Sequence, residues 1–206
     1  MVATAAPARS DRSDFHTVTV GGVKIGALTA VTVVLFLAAS RLAPDGGGAL
    51  RSGLEALIVL AAGVAVSFLP ARWSAARAVE GIAGAAAIGL VGTIVFMTID
   101  IVVFRPLKAY PWTWDAIGGG STWWYLPVWW MLGTFLAWMG GIITARQAAR
   151  GEAARARRAA PVVVATLVVV TLARLAGLSV ALPVATGAAF TVILALFAVV
   201  ALARKG

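Results

Sequence analysis

The sequence predicts an all-α integral membrane protein, a bundle of six transmembrane helices with both termini in the cytoplasm. Three observations predict it. Of the 206 residues, 61% are hydrophobic and only 12% are charged, about half the charged fraction of a soluble domain. That leaves too little polar surface to coat a water-soluble globule, whereas lipid as solvent lets apolar side chains face outward. The apolar residues form six continuous runs with no period of two, which argues against membrane strands of about ten alternating residues. Lysine and arginine are divided unequally between the two sides that six crossings define.

Residues 1–22 are small and polar and read as a cytoplasmic tail. The first run, about 23–40, reads as a retained helix. A cleaved signal peptide is disfavoured, because the preceding tail is long and holds Asp11 and Asp14 where a short basic segment would be expected. The second run, 53–70, is ended by Pro70 and is near the lower limit of about 17 residues for a span. The third, 81–104, is ended by Arg105-Pro106. The fourth covers 123–145. The fifth and sixth, 161–178 and 183–203, open on Pro161 and Pro183, in the first turn where a helix needs no proline N–H. The short connection between them predicts an antiparallel hairpin. Together, 23–203 read as a single transmembrane domain.

If each helix crosses once, twelve of the 17 basic residues fall on the side of the termini, including Arg72, Arg77, Arg146 and Arg150. Five fall on the other side: Arg41, Arg51, Arg105, Lys108 and Arg174. The first side is therefore expected to be cytoplasmic, and the membrane the cytoplasmic (inner) one. The basic loop 146–160 fits this reading as a topogenic segment near anionic headgroups. An acidic docking partner is the sharper alternative for the same loop. The net charge of +9 does not indicate nucleic acid, because the basic residues lie between apolar runs and form no stripe among aromatics.

Composition also narrows the chemistry. There is no cysteine, and the single histidine, His16, lies in the tail. Disulfides, thiolate metal sites and cysteine nucleophiles are excluded, and haem or zinc held by this chain's own histidines is not expected. No Ser-His-Asp set can assemble within the bundle, and no helix carries paired carboxylates at spacing three or four. The chain is therefore expected not to be an enzyme and to ligate no cofactor through Cys or His. Bound lipid, quinone or pigment stays compatible with it, since grooves between helices need no diagnostic motif.

Small residues recur at spacing four: Gly81, Ala85 and Gly89; Gly133, Ala137 and Gly141; Gly187, Thr191 and Ala195. Such faces let helix backbones approach where no hydrophobic effect drives association within lipid. They read first as contacts inside the bundle and second as contacts to a neighbouring subunit. Among intramembrane ionisable groups, each a functional candidate because of its cost, Asp100 stands out, with Arg174 and Glu55 at similar depth. An Asp100–Arg174 pair is geometrically open to the sequence. The threonines in the later helices are expected to bond their own backbones, which disfavours a proton path.

The loop 105–122 and the helix start after it are the most distinctive segment. Seven of the eight tryptophans lie between Trp112 and Trp138. An interfacial aromatic belt accounts for part of this. A specific site or docking surface would use Trp112, Trp114, Trp123, Trp124 and Tyr125, with Arg105, Asp100 and Arg174. The Gly118-Gly119-Gly120 run lacks the Gly-Lys-Ser/Thr of a phosphate loop. Pro127-Val128-Trp129, with Leu132 and Met139-Gly140, is superficially similar to the Trp-rich helix of the translocator/tryptophan-rich sensory protein family. The Met-Gly spacing and the six runs depart from that family's pattern. The similarity implies a site for a lipophilic ligand.

Two functions are therefore expected from the sequence. One is a non-catalytic accessory subunit of a larger membrane complex, partnered by lipids and other integral membrane proteins. The other is a small carrier or binding protein for a lipophilic or anionic molecule.

Overall fold

The structure, a computed structural model, describes residues 12–42, 48–109, 125–149 and 159–203. All regular structure among these residues is helical: α1 Phe15–Leu42, α2 Gly48–Trp73, α3 Val79–Ile99, α4 Tyr125–Ala149, α5 Ala160–Leu175 and α6 Leu182–Ala203. A π-helical turn, Asp100–Phe104, extends α3. Five helices are long and apolar enough to cross a membrane; α5 is apolar but shorter. Its 16 residues span about 24 Å, against a hydrocarbon core of about 30 Å.

The helices are longer than the apolar runs, because a helix need not end where hydrocarbon ends. α1 begins at Phe15 rather than near residue 23. Asp14 is the reason: its carboxylate accepts the Thr17 backbone N–H at 2.9 Å and the Thr17 hydroxyl at 2.7 Å. This is an N-cap, which satisfies donors that a helix start leaves orphaned. The Thr17 backbone bond, with its hydroxyl, holds the Asp14 carboxyl below its usual pKa. α2 passes through Pro70 and ends at Trp73. Pro70 removes one N–H donor from the helix, but its own carbonyl still accepts the Ser74 N–H at 2.9 Å, so the helix runs on for a further turn.

Three helix ends share one device. After α2, the Ala76 N–H donates to the Ala71 carbonyl and the Ala75 N–H to that of Arg72. After the π turn, Ala109 and Lys108 do the same to Phe104 and Arg105. After α5, Leu178 and Gly177 do so to Ala173 and Arg174. This paired bonding needs a left-handed residue, normally glycine. Gly177 provides it with φ 81°, whereas Ala75 (φ 51°) and Lys108 (φ 48°) adopt it with a side chain. It also explains why α5 stops at Leu175 rather than at 178. Ala75→Gly is expected to raise stability by about 1 kcal/mol, and Gly177→Ala to lower it by about as much, by relieving or imposing the left-handed penalty. Thermal unfolding of the detergent-solubilised protein checks both.

Packing follows the glycines. α1 and α3 run parallel and interlock. Gly22 and Gly26 of α1 receive Val91 and Val95 of α3, and Gly92 of α3 receives Ile25 of α1. An adjoining face of α3 meets α4, where Gly89 lies against Gly133 and Ala137, and Gly141 against Ala85 and Ile82. Gly140, on another face of α4, lies against the Ser67 backbone of α2. Phe190 of α6 covers Gly63 of α2. One apolar core joins Leu60, Met139, Ile142, Ile143, Val162, Phe190, Leu194 and Ala198, from α2, α4, α5 and α6.

These contacts fix directions. α2, α4 and α6 run parallel: Gly187 sits by Val59 as Phe190 does by Gly63, and Arg146 near the end of α4 donates to the Ala201 carbonyl near the end of α6 at 2.9 Å. The return from the end of α4 to the start of α6 is made by α5, which packs against α6 and buries Val162, Thr166 and Val170. The bundle thus has a tail face, with the start of α1 and the α2–α3 turn, and an opposite face, with the ends of α1 and α3.

Candidate functional site

Two ion pairs, Asp100 with Arg105 and Glu55 with Arg51, lie towards the opposite face. Asp100 is the most deeply placed, at 2% exposure. Its Oδ2 accepts the Arg105 Nε–H at 3.3 Å. Residues five apart on an α-helix lie about 140° apart around the axis, so α-helical spacing would separate this pair. The π turn brings them together: the Arg105 N–H donates to the Asp100 carbonyl at 3.0 Å, stacking residue i+5 over residue i. Pro106 supplies the local cause. Its ring would clash with the Val102 carbonyl of an unbroken α-helix, and the wider turn relieves that clash. Such π turns occur frequently at functional sites. The other carboxylate oxygen, Oδ1, is buried and accepts no hydrogen bond from the described residues.

A second carboxylate, Glu55, is also buried. Its Oε1 accepts the Ser40 hydroxyl at 2.6 Å and the Arg51 Nε–H at 2.9 Å. The first bond ties the end of α1 to the start of α2. Arg41 ties α1 to the chain after the π turn, donating to the Ala109 carbonyl at 3.2 Å. Arg174, exposed on α5, reaches the Leu178 carbonyl of its own helix end at 3.4 Å. The structure thus joins Asp100 with Arg105 and leaves Arg174 apart from both.

Of the other candidate residues, Trp112, Trp114, Trp123 and Trp124 lie outside the described residues, and Tyr125 opens α4. The stripe Gly81, Ala85, Gly89 is buried along α3, and Gly133, Ala137 and Gly141 face it from α4. Contacts of these stripes are made inside the bundle, so they form no outward docking face. Sequence reasoning missed Ser40, Arg51 and Gly140. The Arg51–Glu55 spacing of four was a readable signal; the Ser40 contact between helices had none.

Deeper in the bundle, the buried Ser67 and Thr144 hydroxyls have no hydrogen-bond partner among the described residues, whereas five threonines are self-contained. Thr29, Thr93, Thr166, Thr186 and Thr191 each donate to the carbonyl four residues back. Among the described residues no group of His, Cys, Asp or Glu could hold a metal ion. What the site offers chemically is two carboxylates, each beside an arginine, and one buried acceptor oxygen. No protein-family model, curated protein or solved structure matches the chain.

Proposed function

We propose that the chain is a non-catalytic integral membrane subunit of a larger membrane complex, for instance an energy-transducing one, lying in the cytoplasmic membrane with both termini inside. Its docking surface is the Trp-rich segment around Trp112 and Trp114 on the outer side. The small-residue faces drop out of this role because α3 and α4 use them on each other. The observation that carries the reading is backbone-to-backbone packing through the centre of the bundle. α3 is locked to α1 by reciprocal glycine contacts and to α4 by Gly89 and Gly133, and α4 is seated on Ser67 of α2. A carrier needs helices that part; this arrangement favours a rigid block. Thr93, Thr166, Thr186 and Thr191, bonded to their own backbones, are not free to act as polar stations for an ion.

Purification from the native membrane in mild detergent, followed by mass spectrometry, tests the reading. Other integral membrane proteins are expected at fixed stoichiometry. Alanine at Trp112 and Trp114 together is expected to release the chain from that complex, seen as a mass shift in native electrophoresis with helicity unchanged. A lone chain holding a small molecule would overturn the proposal.

That second outcome belongs to a different reading, a binding protein for a lipophilic or anionic molecule. One observation favours it: the buried Oδ1 of Asp100 accepts no hydrogen bond from the described residues, and a ligand hydroxyl or amine would supply a donor.

A further inference from the structure

The tail face holds a second arrangement, which stands apart from the subunit reading. The geometry points to an anionic phospholipid site at the α2–α3 turn, in which Arg12, Lys24 and Arg72 hold the phosphodiester beside the Trp73 ring.

The turn is built rather than loose. Ser74 is fully buried, and its N–H donates to the Pro70 carbonyl at 2.9 Å. Ala75 is held at φ 51°, a conformation costly for a side-chain-bearing residue and kept only where surrounding structure enforces it. The Ser74 carbonyl accepts the Arg12 N–H at 2.7 Å, which fixes the segment before α1 at this turn. Gly84 seats the same segment, lying against Ser13 and the Arg12 carbonyl.

Three basic residues are brought to this turn. Arg12 is placed there by its backbone bond. Arg72 lies in the last turn of α2. Lys24, further along α1, has its ammonium 5.6 Å from the Trp73 ring centroid. All three side chains are exposed, and none forms a salt bridge among the described residues. Among the described residues, the acidic groups at this end are Asp14, which caps α1 through Thr17, and Glu80, exposed in the first turn of α3. Basic residues therefore outnumber acidic ones at this end among the described residues.

The occupant follows from the surroundings. Ala27, Val31 and Leu35 continue from Lys24 at spacings of three, seven and eleven, so they share its face of α1, and all are exposed. This gives an apolar strip below a cationic one, matching a lipid with an anionic headgroup and an acyl chain. A phosphodiester offers acceptor oxygens to guanidinium and ammonium groups, and basic pockets between helices bind such headgroups. A zwitterionic headgroup would bring its own cation and leave the three side chains uncompensated.

The test uses the purified full chain, delipidated in detergent and titrated with phosphatidylglycerol or phosphatidylcholine, with retained lipid read by native mass spectrometry. Phosphatidylglycerol is expected to be retained preferentially. Lys24→Ala and Arg72→Ala are each expected to reduce its retention roughly fivefold, the effect of removing one cation near an anionic surface. Lys24→Arg should keep it, and Arg174→Ala, towards the other face, should leave it unchanged. Equal retention of the two lipids by the unmodified chain would overturn the site without reference to any variant. So would unchanged retention in both alanine variants. Displacement of the lipid by an equal concentration of inorganic phosphate would also overturn it, by assigning the cations to a soluble anion.

Discussion

Gly140→Ala is expected to be the most damaging single-methyl change in this protein. A Cβ at Gly140 would run directly into the Ser67 carbonyl and its backbone neighbours. Because the obstacle is main chain rather than the far end of a flexible side chain, α2 and α4 must separate. Forcing a methylene into a filled core costs about 1–3 kcal/mol, and the upper end applies here. Within lipid no hydrophobic effect pulls the helices back together, so lost backbone contact is not regained by other burial. The neighbouring glycine is the control. A Cβ at Gly141 would meet Ala85 at 3.4 Å and Ile82 at 3.5 Å, ordinary contact distances. Gly53 has nothing within 4 Å. Alanine at either site is expected to be neutral or stabilising by up to about 1 kcal/mol, the helix propensity gained. Unfolding of the three variants in one detergent, by heat or by SDS titration, reads the difference. Equal behaviour of Gly140→Ala and Gly141→Ala would mean that α2 and α4 are not seated on each other as described.

That contrast also shows what the sequence could and could not convey. The stripe Gly133, Ala137, Gly141 was legible because spacing four repeats on one helical face, and it does meet Ala85 and Gly89 of α3. Gly140 belongs to no such repeat, so small-residue spacing does not separate it from Gly53, where an added Cβ would meet nothing within 4 Å. The multi-helix, apolar character was legible from composition and run length. Helix ends were not. Hydropathy reports where lipid begins, whereas α1 is started by the Asp14 cap and α2 is stopped by a hydrogen-bonded turn at Ala75. Gly21 and Gly22 consequently read as tail, although both are buried in α1. Asp100 was legible as a costly intramembrane charge. Its partner was not, because Arg105 comes within reach only after the backbone departs from α-helical spacing. Arg174 looked equally suitable by depth, and depth carries no information about which helices are neighbours.

Arg105→Ala is expected to cost about 3 kcal/mol, because it leaves a carboxylate in the bundle without its counter-charge. Side-chain exposures of 29% for Arg105 and 3% for Asp100 make the two halves of the pair unequal. Removing the arginine strands a charge that water cannot reach; removing the carboxylate strands one that can turn towards the headgroups. Asp100→Asn is therefore expected to cost only about 1 kcal/mol, the net worth of a hydrogen bond. The double variant Asp100→Asn with Arg105→Ala should be more stable than Arg105→Ala alone, since the stranded charge is gone. Thermal unfolding of the four proteins in nanodiscs measures the cycle. If the double variant is instead less stable than Arg105→Ala by the full cost of Asp100→Asn, the two residues act independently and the π turn does not serve to pair them. The asymmetry also makes Asp100→Asn a usable functional probe. A variant that keeps its fold but loses a bound molecule would assign that loss to the buried oxygen, whereas retention of every partner and ligand would leave the pair a structural feature of the end of α3.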